Sequence, residues 1–145
     1  MFQIVEKQGD LFTRCSPNVP LVHCVSLDFR MSQGIALQFK QKYGRVAALR
    51  AQVRQVGGCA VIKDGSRWLF YLVTKPRYFL KPSYHTLELA LISLKQHLLE
   101  LQITELAIPG FMACHRDRLN WYRVKQLLNK VFHNVDITIY IVYFT

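Results

Sequence analysis

Six short apolar segments alternate along the chain with stretches whose apolar residues recur at helical spacing. Runs of this length, bounded by Gly, Pro, Asn, Asp or Ser, predict strands rather than buried helices. The segments are FQIVEK, LVHCVSL, CAVI, WLFYLV, ELAIP and ITIYIVYF, at 2–7, 21–27, 59–62, 68–73, 105–109 and 137–144. Strands interleaved with helices predict an α/β protein in which helices cover both faces of a mixed sheet.

The most regular helical spacing follows the fourth apolar segment. Its leucines recur at steps of four, three, four and three, which predicts an amphipathic helix with all five in the core, at Leu87, Leu91, Leu94, Leu98 and Leu101. Further helices are predicted over 34–43, 46–55 and 119–132. The Asp64-Gly65 pair between CAVI and WLFYLV predicts a hairpin, so those two strands should be antiparallel neighbours.

Length and composition indicate one globular domain spanning 1–145. The residues are 51% hydrophobic with 7 glycines and 5 prolines, which excludes disordered and fibrous classes. No apolar run approaches the roughly 20 residues of a membrane span. No basic region leads into an apolar one in MFQIVEKQGD, so we expect an intracellular protein, nuclear or cytoplasmic, that does not bind membranes.

The four cysteines are scattered and form no Cys-x-x-Cys pair, which argues against a redox motif and against a zinc cage. Two Cys–His neighbours, His23-Cys24 and Cys114-His115, could form a metal site if the fold joined them. Adjacent residues on a strand point to opposite faces, however, so we expect reduced thiols and no metal. His23 lies in a predicted strand, and we interpret it as a core histidine whose hydrogen bonds are satisfied.

Lysine and arginine number 19 against 9 aspartates and glutamates, giving a formal net charge of +10. Such a surplus favours an anionic partner. Nucleic acid, poly(ADP-ribose) and a nucleotide diphosphate suit it equally well, and a plain solvated surface is the alternative.

Three polar loops follow predicted strands. They are Gly9-Asp10, 26–36 and 109–121, and the last two lead into predicted helices. Backbone amides at a helix start bind anions, so these loops are candidates for a diphosphate site. Glycine-rich nucleotide motifs of the Rossmann and P-loop types are missing from the sequence.

Lys75 and Asp117 are the candidate reactive pair. Lys75 follows an apolar strand and precedes Pro76, at the edge where open α/β sheets bind ligands. Taken alone, each residue has a purely structural interpretation. Lys75 would be a surface charge, and Asp117 would be the N-cap or a first-turn acid of the last helix. If the two loops meet, a desolvated lysine could act as nucleophile while the carboxylate handles protons. Asp10 is either a turn residue or an acceptor for a base amino group.

Four segments together resemble the macrodomain family. They are the first strand with its Gly9-Asp10, HCVSLDFRMSQGIALQFKQKYG, YLVTKPRYFLKPSY and CHRDRLNW, in the right order over the whole chain. The resemblance is strongest to the branch of terminal ADP-ribose protein glycohydrolases, also called O-acetyl-ADP-ribose deacetylases. It implies a three-layer α/β/α sandwich with a six-stranded mixed sheet.

The activity implied by this resemblance is removal of mono-ADP-ribose from glutamate or aspartate side chains and deacylation of O-acyl-ADP-ribose, without metal or other cofactor. Lys75 would attack the anomeric carbon of the distal ribose to form a lysyl intermediate, and Asp117 would help to resolve it. The implied ligand contacts are Asp10 at the adenine amino group, with Leu11, Ser26, Met31, Gly34, Ile35, Ala36, Ala113, Cys114, His115 and Arg116. The expected partners are ADP-ribose and ADP-ribosylated proteins, bound by a monomer; the alternative is a non-catalytic module for ADP-ribose, its polymer or RNA.

The sequence departs from this branch in both ligand loops. The first loop keeps only the last glycine of a Gly-x-Gly, at Gly34, and the second has Ala113-Cys114-His115 where the branch has glycine-cysteine-glycine. Glycine allows positive φ and close approach to phosphate, so Ala113 and His115 should narrow or reshape the diphosphate site. His115 and Arg116 could instead supply cationic contacts to the diphosphate.

Overall fold

A computed structural model describes residues 1–115 and 117–144. Across these residues the chain forms six strands, β1 (Gln3–Gln8), β2 (Leu21–Ser26), β3 (Cys59–Asp64), β4 (Arg67–Lys75), β5 (Glu105–Pro109) and β6 (Thr138–Tyr143). In the same residues it forms four helices, α1 (Gly34–Tyr43), α2 (Val46–Gln52), α3 (Tyr84–Glu100) and α4 (Trp121–Phe132). No helix among the described residues is both long and apolar enough to cross a membrane.

The strands form a mixed sheet in the order β1-β6-β5-β2-β4-β3. Every neighbouring pair from β1 to β4 is parallel, and β3 pairs antiparallel with β4 through the predicted hairpin. The predicted mixed α/β sheet is therefore confirmed.

Alternate side chains of β4 pack into two different layers. Phe70 and Leu72 join the core beneath α3 and α4, whereas Leu69, Tyr71 and Val73 join the core beneath α1 and α2. All five are fully buried. A strand covered on both faces reads as a continuous apolar run, which is why WLFYLV shows no alternation.

Helix α3 begins where its sequence provides a cap. The Ser83 side chain accepts a hydrogen bond from the Thr86 amide at 3.0 Å, and the Thr86 hydroxyl accepts one from the Ser83 amide at 3.0 Å, which completes a capping box. Four of the five leucines predicted to lie in the core are buried, namely Leu87, Leu91, Leu94 and Leu98. Leu101 is exposed, so its assignment to the core was wrong: it lies at the C-cap, where the chain leaves the helix.

Two helix boundaries differ from the prediction. Helix α2 ends at Gln52 because Val53 is extended. Helix α4 begins at Trp121, where the side chain of Asn120 accepts a hydrogen bond from the Arg123 amide at 3.1 Å.

His23 is fully buried on β2, beneath α1. Its ring stacks on Phe39 with centroids 3.7 Å apart and meets the edge of Tyr71 at 4.8 Å. Within the described residues neither ring nitrogen has a hydrogen-bond partner. The prediction of a hydrogen-bonded histidine was therefore wrong, although the position in the core was right. Burial lowers the pKa of His23 to about 3.

This lowered pKa makes the stability of the protein sensitive to acid. Below its ordinary pKa of 6.5 the histidine of the unfolded chain takes up a proton that the folded chain excludes down to about pH 3. Stability should therefore fall as the pH falls through this window, at a rate approaching about 1.4 kcal/mol per pH unit from His23 alone. His23→Phe should remove this part of the slope in urea unfolding between pH 6.5 and 4.

The matched control is His85→Gln, because His85 is exposed. It should keep the wild-type slope. Parallel slopes for wild type and His23→Phe would contradict the account.

Candidate functional site

The carboxyl ends of β1, β6, β5, β2 and β4 lie along one edge of the sheet, because these strands are parallel. A cleft of about 680 Å³ lies there. Open α/β sheets bind ligands at this edge, and the volume is within the range of small-molecule and cofactor sites. The loops predicted to be functional therefore meet in one place.

Lys75 and Asp117 form an ion pair within this cleft. The Nζ atom of Lys75 lies 2.6 Å from Oδ1 of Asp117, and each side chain is only 12% exposed. Lys75 is the last residue of β4, whereas Asp117 lies between β5 and α4. Asp117 is not the N-cap of α4, because Asn120 occupies that position. The structure thus brings together the two residues that sequence analysis paired.

A β-bulge precedes Lys75. Val25 of β2 pairs with Val73, but the next residue, Ser26, pairs with Lys75, so Thr74 is an extra residue in β4. Thr74 is fully buried, and the Lys75 carbonyl accepts a hydrogen bond from the Leu27 amide at 2.8 Å. Bulges redirect the side chains that follow them, and this one sets the direction in which Lys75 leaves the sheet.

Asp28 joins the loop after β2 to the loop after β4. Its carboxylate accepts hydrogen bonds from the Ser26 hydroxyl, from the Arg30 amide at 3.3 Å and from the Tyr78 amide at 3.2 Å. Partial burial raises the pKa of Asp28, but these hydrogen bonds and the charge of Arg77 outweigh burial and hold the pKa below its usual value. Sequence analysis assigned Asp28 no role, since its partner Tyr78 is 50 residues away.

The start of α1 opens onto the cleft. Gly34 has a φ of +61°, and the N-cap, Gln33, makes no side-chain capping bond within the described part of the chain. The first turn of α1 contains no acidic residue. Amides at such a terminus are available to an anion in the cleft.

The second loop keeps the backbone conformation that glycine would favour. Ala113 has a φ of +66° and Phe111 a φ of +59°, both in the left-handed region. Ala113 adopts this backbone at a cost of about 1–2 kcal/mol. That Ala113 and His115 narrow or reshape the diphosphate site stays a prediction. Cys114 and the exposed His115 also line the cleft. Arg116 lies outside the described residues.

The second loop rests on an aromatic cluster. The Phe111 ring contacts Trp121 and Tyr143 at centroid distances of 5.7 and 5.3 Å. The Tyr143 hydroxyl accepts a hydrogen bond from Trp121 Nε1 at 3.0 Å and donates one to Glu6 Oε2 at 2.5 Å. Gly110 makes room for this arrangement, since a Cβ there would lie 2.3 Å from the Tyr143 ring. Gly110 and Phe111 of the second loop thus pack closely against Tyr143 at the end of β6.

Asp10 lies at the far end of the cleft. Its Oδ1 atom accepts a hydrogen bond from the Phe12 amide at 2.8 Å, so Asp10 is a turn residue that also lines the cleft. Leu11 and Phe144 line the same cleft. At this end of the cleft the chain after β1 is bonded to β6, since the Gly9 amide donates a hydrogen bond to the Tyr143 carbonyl at 2.8 Å.

The suggested Cys–His metal site does not form in the described residues. Cys24 and Cys114 both line the cleft, but His23 is buried beneath α1. No group of three His, Cys, Asp or Glu side chains in residues 1–115 and 117–144 could hold a metal ion.

Every predicted site residue that the structure describes lines the cleft. These are Asp10, Leu11, Ser26, Met31, Gly34, Ile35, Ala36, Lys75, Ala113, Cys114, His115 and Asp117. Four aromatic residues that line the cleft were not predicted from the sequence, namely Tyr78, Phe79, Phe111 and Phe144. Tyr78 and Phe79 could have been suspected from the sequence only because they are an aromatic pair shortly after Lys75.

Comparison with known proteins agrees with this geometry. No protein-family model matches the chain. Its fold is similar to the macrodomain of Mycobacterium tuberculosis DarG, with a TM-score of 0.85, 25% identity and coverage of 99% of this chain and 98% of that one. The structure is thus that of a macrodomain, as the resemblance implied.

Two curated sequence relatives are named ADP-ribose glycohydrolase OARD1. The chain is 41% identical to the protein from Bos taurus and 40% identical to that from Homo sapiens, in each case over 137 residues covering 94% of this chain and 89% of the relative. The chain therefore belongs to the OARD1 family of macrodomains.

Gly110→Ala tests the match between the second loop and β6. The new methyl group would collide with the Tyr143 ring, and we expect a loss of about 1–3 kcal/mol in unfolding free energy. It should also weaken ligand binding, because the loop that carries Asp117 must move. Tyr143→Ala removes the ring with which the methyl group would collide. Tyr143→Ala should therefore lower the unfolding free energy of the Gly110→Ala variant by less than it lowers that of wild type. Additive costs in this double-mutant cycle would contradict the proposed contact.

Proposed function

We propose that this protein is an ADP-ribose-binding hydrolase that removes mono-ADP-ribose from glutamate and aspartate side chains and deacylates O-acyl-ADP-ribose. The observation that carries the proposal is the Lys75–Asp117 ion pair, with a separation of 2.6 Å, in a cleft lined by both ligand loops. Membership of a family whose curated relatives are named ADP-ribose glycohydrolase supports an enzyme of this class.

The two ends of the cleft suit the two ends of ADP-ribose. Asp10 can accept a hydrogen bond from the adenine amino group, and the exposed Phe144 ring offers an apolar face beside it. The start of α1 supplies amides for the diphosphate. The distal ribose then reaches Lys75 and Asp117.

Lys75 is the proposed nucleophile. In the ion pair its amine carries a proton that must leave before attack, and Asp117 is an acceptor within hydrogen-bond reach. The lysine nitrogen then bonds to the anomeric carbon of the distal ribose. The carboxylate of the modified glutamate or aspartate departs with the electron pair of the broken C–O bond and takes the proton from Asp117, which leaves Asp117 ionised. In the second step Asp117 takes a proton from a water molecule, whose oxygen bonds to the anomeric carbon. The lysine departs with the electron pair of the broken C–N bond, and ADP-ribose is released.

A non-catalytic ADP-ribose-binding module is the second candidate. The observations that favour it are the altered second loop, Ala113-Cys114-His115, and the net charge of +10. Such a module would bind ADP-ribose, or its polymer, without releasing it from protein.

Variants of Lys75 separate these candidates. Lys75→Arg keeps a cation opposite Asp117, but a guanidinium remains protonated and cannot act as nucleophile. We expect Lys75→Arg and Lys75→Ala to lower the rate of release from glutamate-linked ADP-ribosylated protein by at least about 10³-fold. Calorimetric titration with ADP-ribose should give Kd values close to wild type, at least for Lys75→Arg.

Binding by wild type without any release would leave the binding module as the function. Normal turnover by the Lys75→Arg variant would show that Lys75 is not the nucleophile.

Asp117→Asn tests the carboxylate separately. The amide has nearly the same shape but cannot take a proton, so release should slow by about 10²–10⁴-fold while ADP-ribose still binds. A pH–rate profile accompanies the measurement, with Asp136→Asn as control, since Asp136 is exposed and pairs with the amino terminus. Equal rates for wild type and Asp117→Asn would show that the carboxylate has no role in proton transfer.

A further inference from the structure

The turn that follows Lys75 presents three consecutive apolar side chains to solvent. Tyr78, Phe79 and Leu80 are 44%, 66% and 40% exposed. Singly exposed apolar residues are ordinary on a protein surface, but adjacent ones mark surfaces that contact another molecule. Tyr78 and Phe79 line the cleft at the Lys75 end, whereas Leu80 lies outside it.

This turn is fixed to the scaffold. The Tyr78 amide donates a hydrogen bond to Asp28 at 3.2 Å, and the Leu80 amide donates one to the Arg77 carbonyl at 3.1 Å. Pro82 is buried, which anchors the end of the turn. A surface held in one conformation loses less entropy when a partner binds.

Two arginines give the same surface a positive charge. The guanidinium of Arg30 lies 4.8 Å from the centre of the Tyr78 ring, and Arg77 is exposed beside it. Neither forms an ion pair within the described residues. The nearby carboxylates are already engaged, Asp28 by hydrogen bonds and Asp117 by Lys75. We call these five residues the rim: Arg30, Arg77, Tyr78, Phe79 and Leu80.

The position of the rim determines what it can contact. In the proposed reaction, the acceptor is joined to the carbon that Lys75 attacks. The polypeptide on either side of the modified carboxylate must therefore leave the cleft at the Lys75 end, where the rim begins two residues further along the chain.

We propose that the rim binds the acceptor polypeptide and favours segments in which acidic and apolar residues flank the modified side chain. This inference rests on the proposed function. Acidic residues complement Arg30 and Arg77, and apolar residues pack on the exposed faces of Phe79 and Leu80. The rim sets which modified proteins are released efficiently, and it leaves the chemistry at Lys75 unchanged.

The experiment compares three substrates. Two peptides carry ADP-ribose on one glutamate, the first flanked by aspartate and leucine, the second by serine and glycine; the third substrate is O-acetyl-ADP-ribose, which has no polypeptide. Wild type should release ADP-ribose from the first peptide with a kcat/KM about 10-fold above the second, mainly through KM. The advantage should shrink as salt is raised, because screening weakens the charge contribution.

Arg77→Gln and Leu80→Ser change the rim without touching the lining of the cleft. Each should lower kcat/KM for the first peptide by about 3- to 10-fold and leave O-acetyl-ADP-ribose turnover within about 2-fold of wild type. The matched controls are Arg54→Gln and Leu99→Ser, which alter an exposed arginine and a 56% exposed leucine outside the cleft. The controls should behave as wild type on all three substrates.

Several results would overturn the inference while leaving the proposed function intact. These are equal rates for the two peptides, equal losses on peptide and O-acetyl-ADP-ribose or, when an ADP-ribosylated oligonucleotide is added as a fourth substrate, a stronger rim-dependent preference for it than for the first peptide. If wild type releases ADP-ribose from none of the substrates, the proposed function itself fails.

Discussion

The parallel pairing of β2 with β4 and β5 is the constraint on which the site depends. It places the ends of β4 and β5 on the same edge of the sheet, so that the residues after them can meet across β2. The extra residue at Thr74 then turns Lys75 toward the cleft. Without this register, the 2.6 Å contact between Lys75 and Asp117 would have no scaffold, because the two residues are 42 positions apart in the chain.

Lys75 and Asp117, the proposed reactive pair, are both partly withdrawn from water. Each has 12% of its side chain exposed, so each depends on the other for compensation of its charge. In the proposed reaction, ADP-ribose in the cleft excludes further water and brings its anomeric carbon to the Lys75 amine. The same burial that makes the pair costly to the fold makes it useful to a reaction, since proton transfer across a short contact needs little rearrangement.

Most of the helices and strands and the proximity of Lys75 to Asp117 could be predicted from the sequence, because they depend on local patterns and on a resemblance carried by several segments. The hairpin followed from Asp64-Gly65, and the core helix from the spacing of its leucines, four of which are buried as predicted. What it could not predict depends on contacts between distant residues. Asp28 bonds to the Tyr78 amide, Gly110 makes room for Tyr143, and the imidazole of His23 lies against Phe39 without a hydrogen-bond partner in the described chain. The left-handed backbone conformation of Ala113 could not be predicted either, since alanine rarely adopts it.

The most direct test of the account is to look for the covalent intermediate itself. Wild-type protein in excess over a glutamate-linked ADP-ribosylated substrate would be quenched at short times with borohydride and then digested for peptide mass spectrometry. The sugar ring of the lysyl intermediate opens when the ring oxygen leaves the anomeric carbon and takes the proton of the lysine nitrogen, and borohydride reduces the resulting imine to a stable amine. The account predicts one peptide that gains the mass of reduced ADP-ribose at Lys75, appearing before product is complete. Turnover with no such adduct, or with the adduct on another lysine, would contradict it.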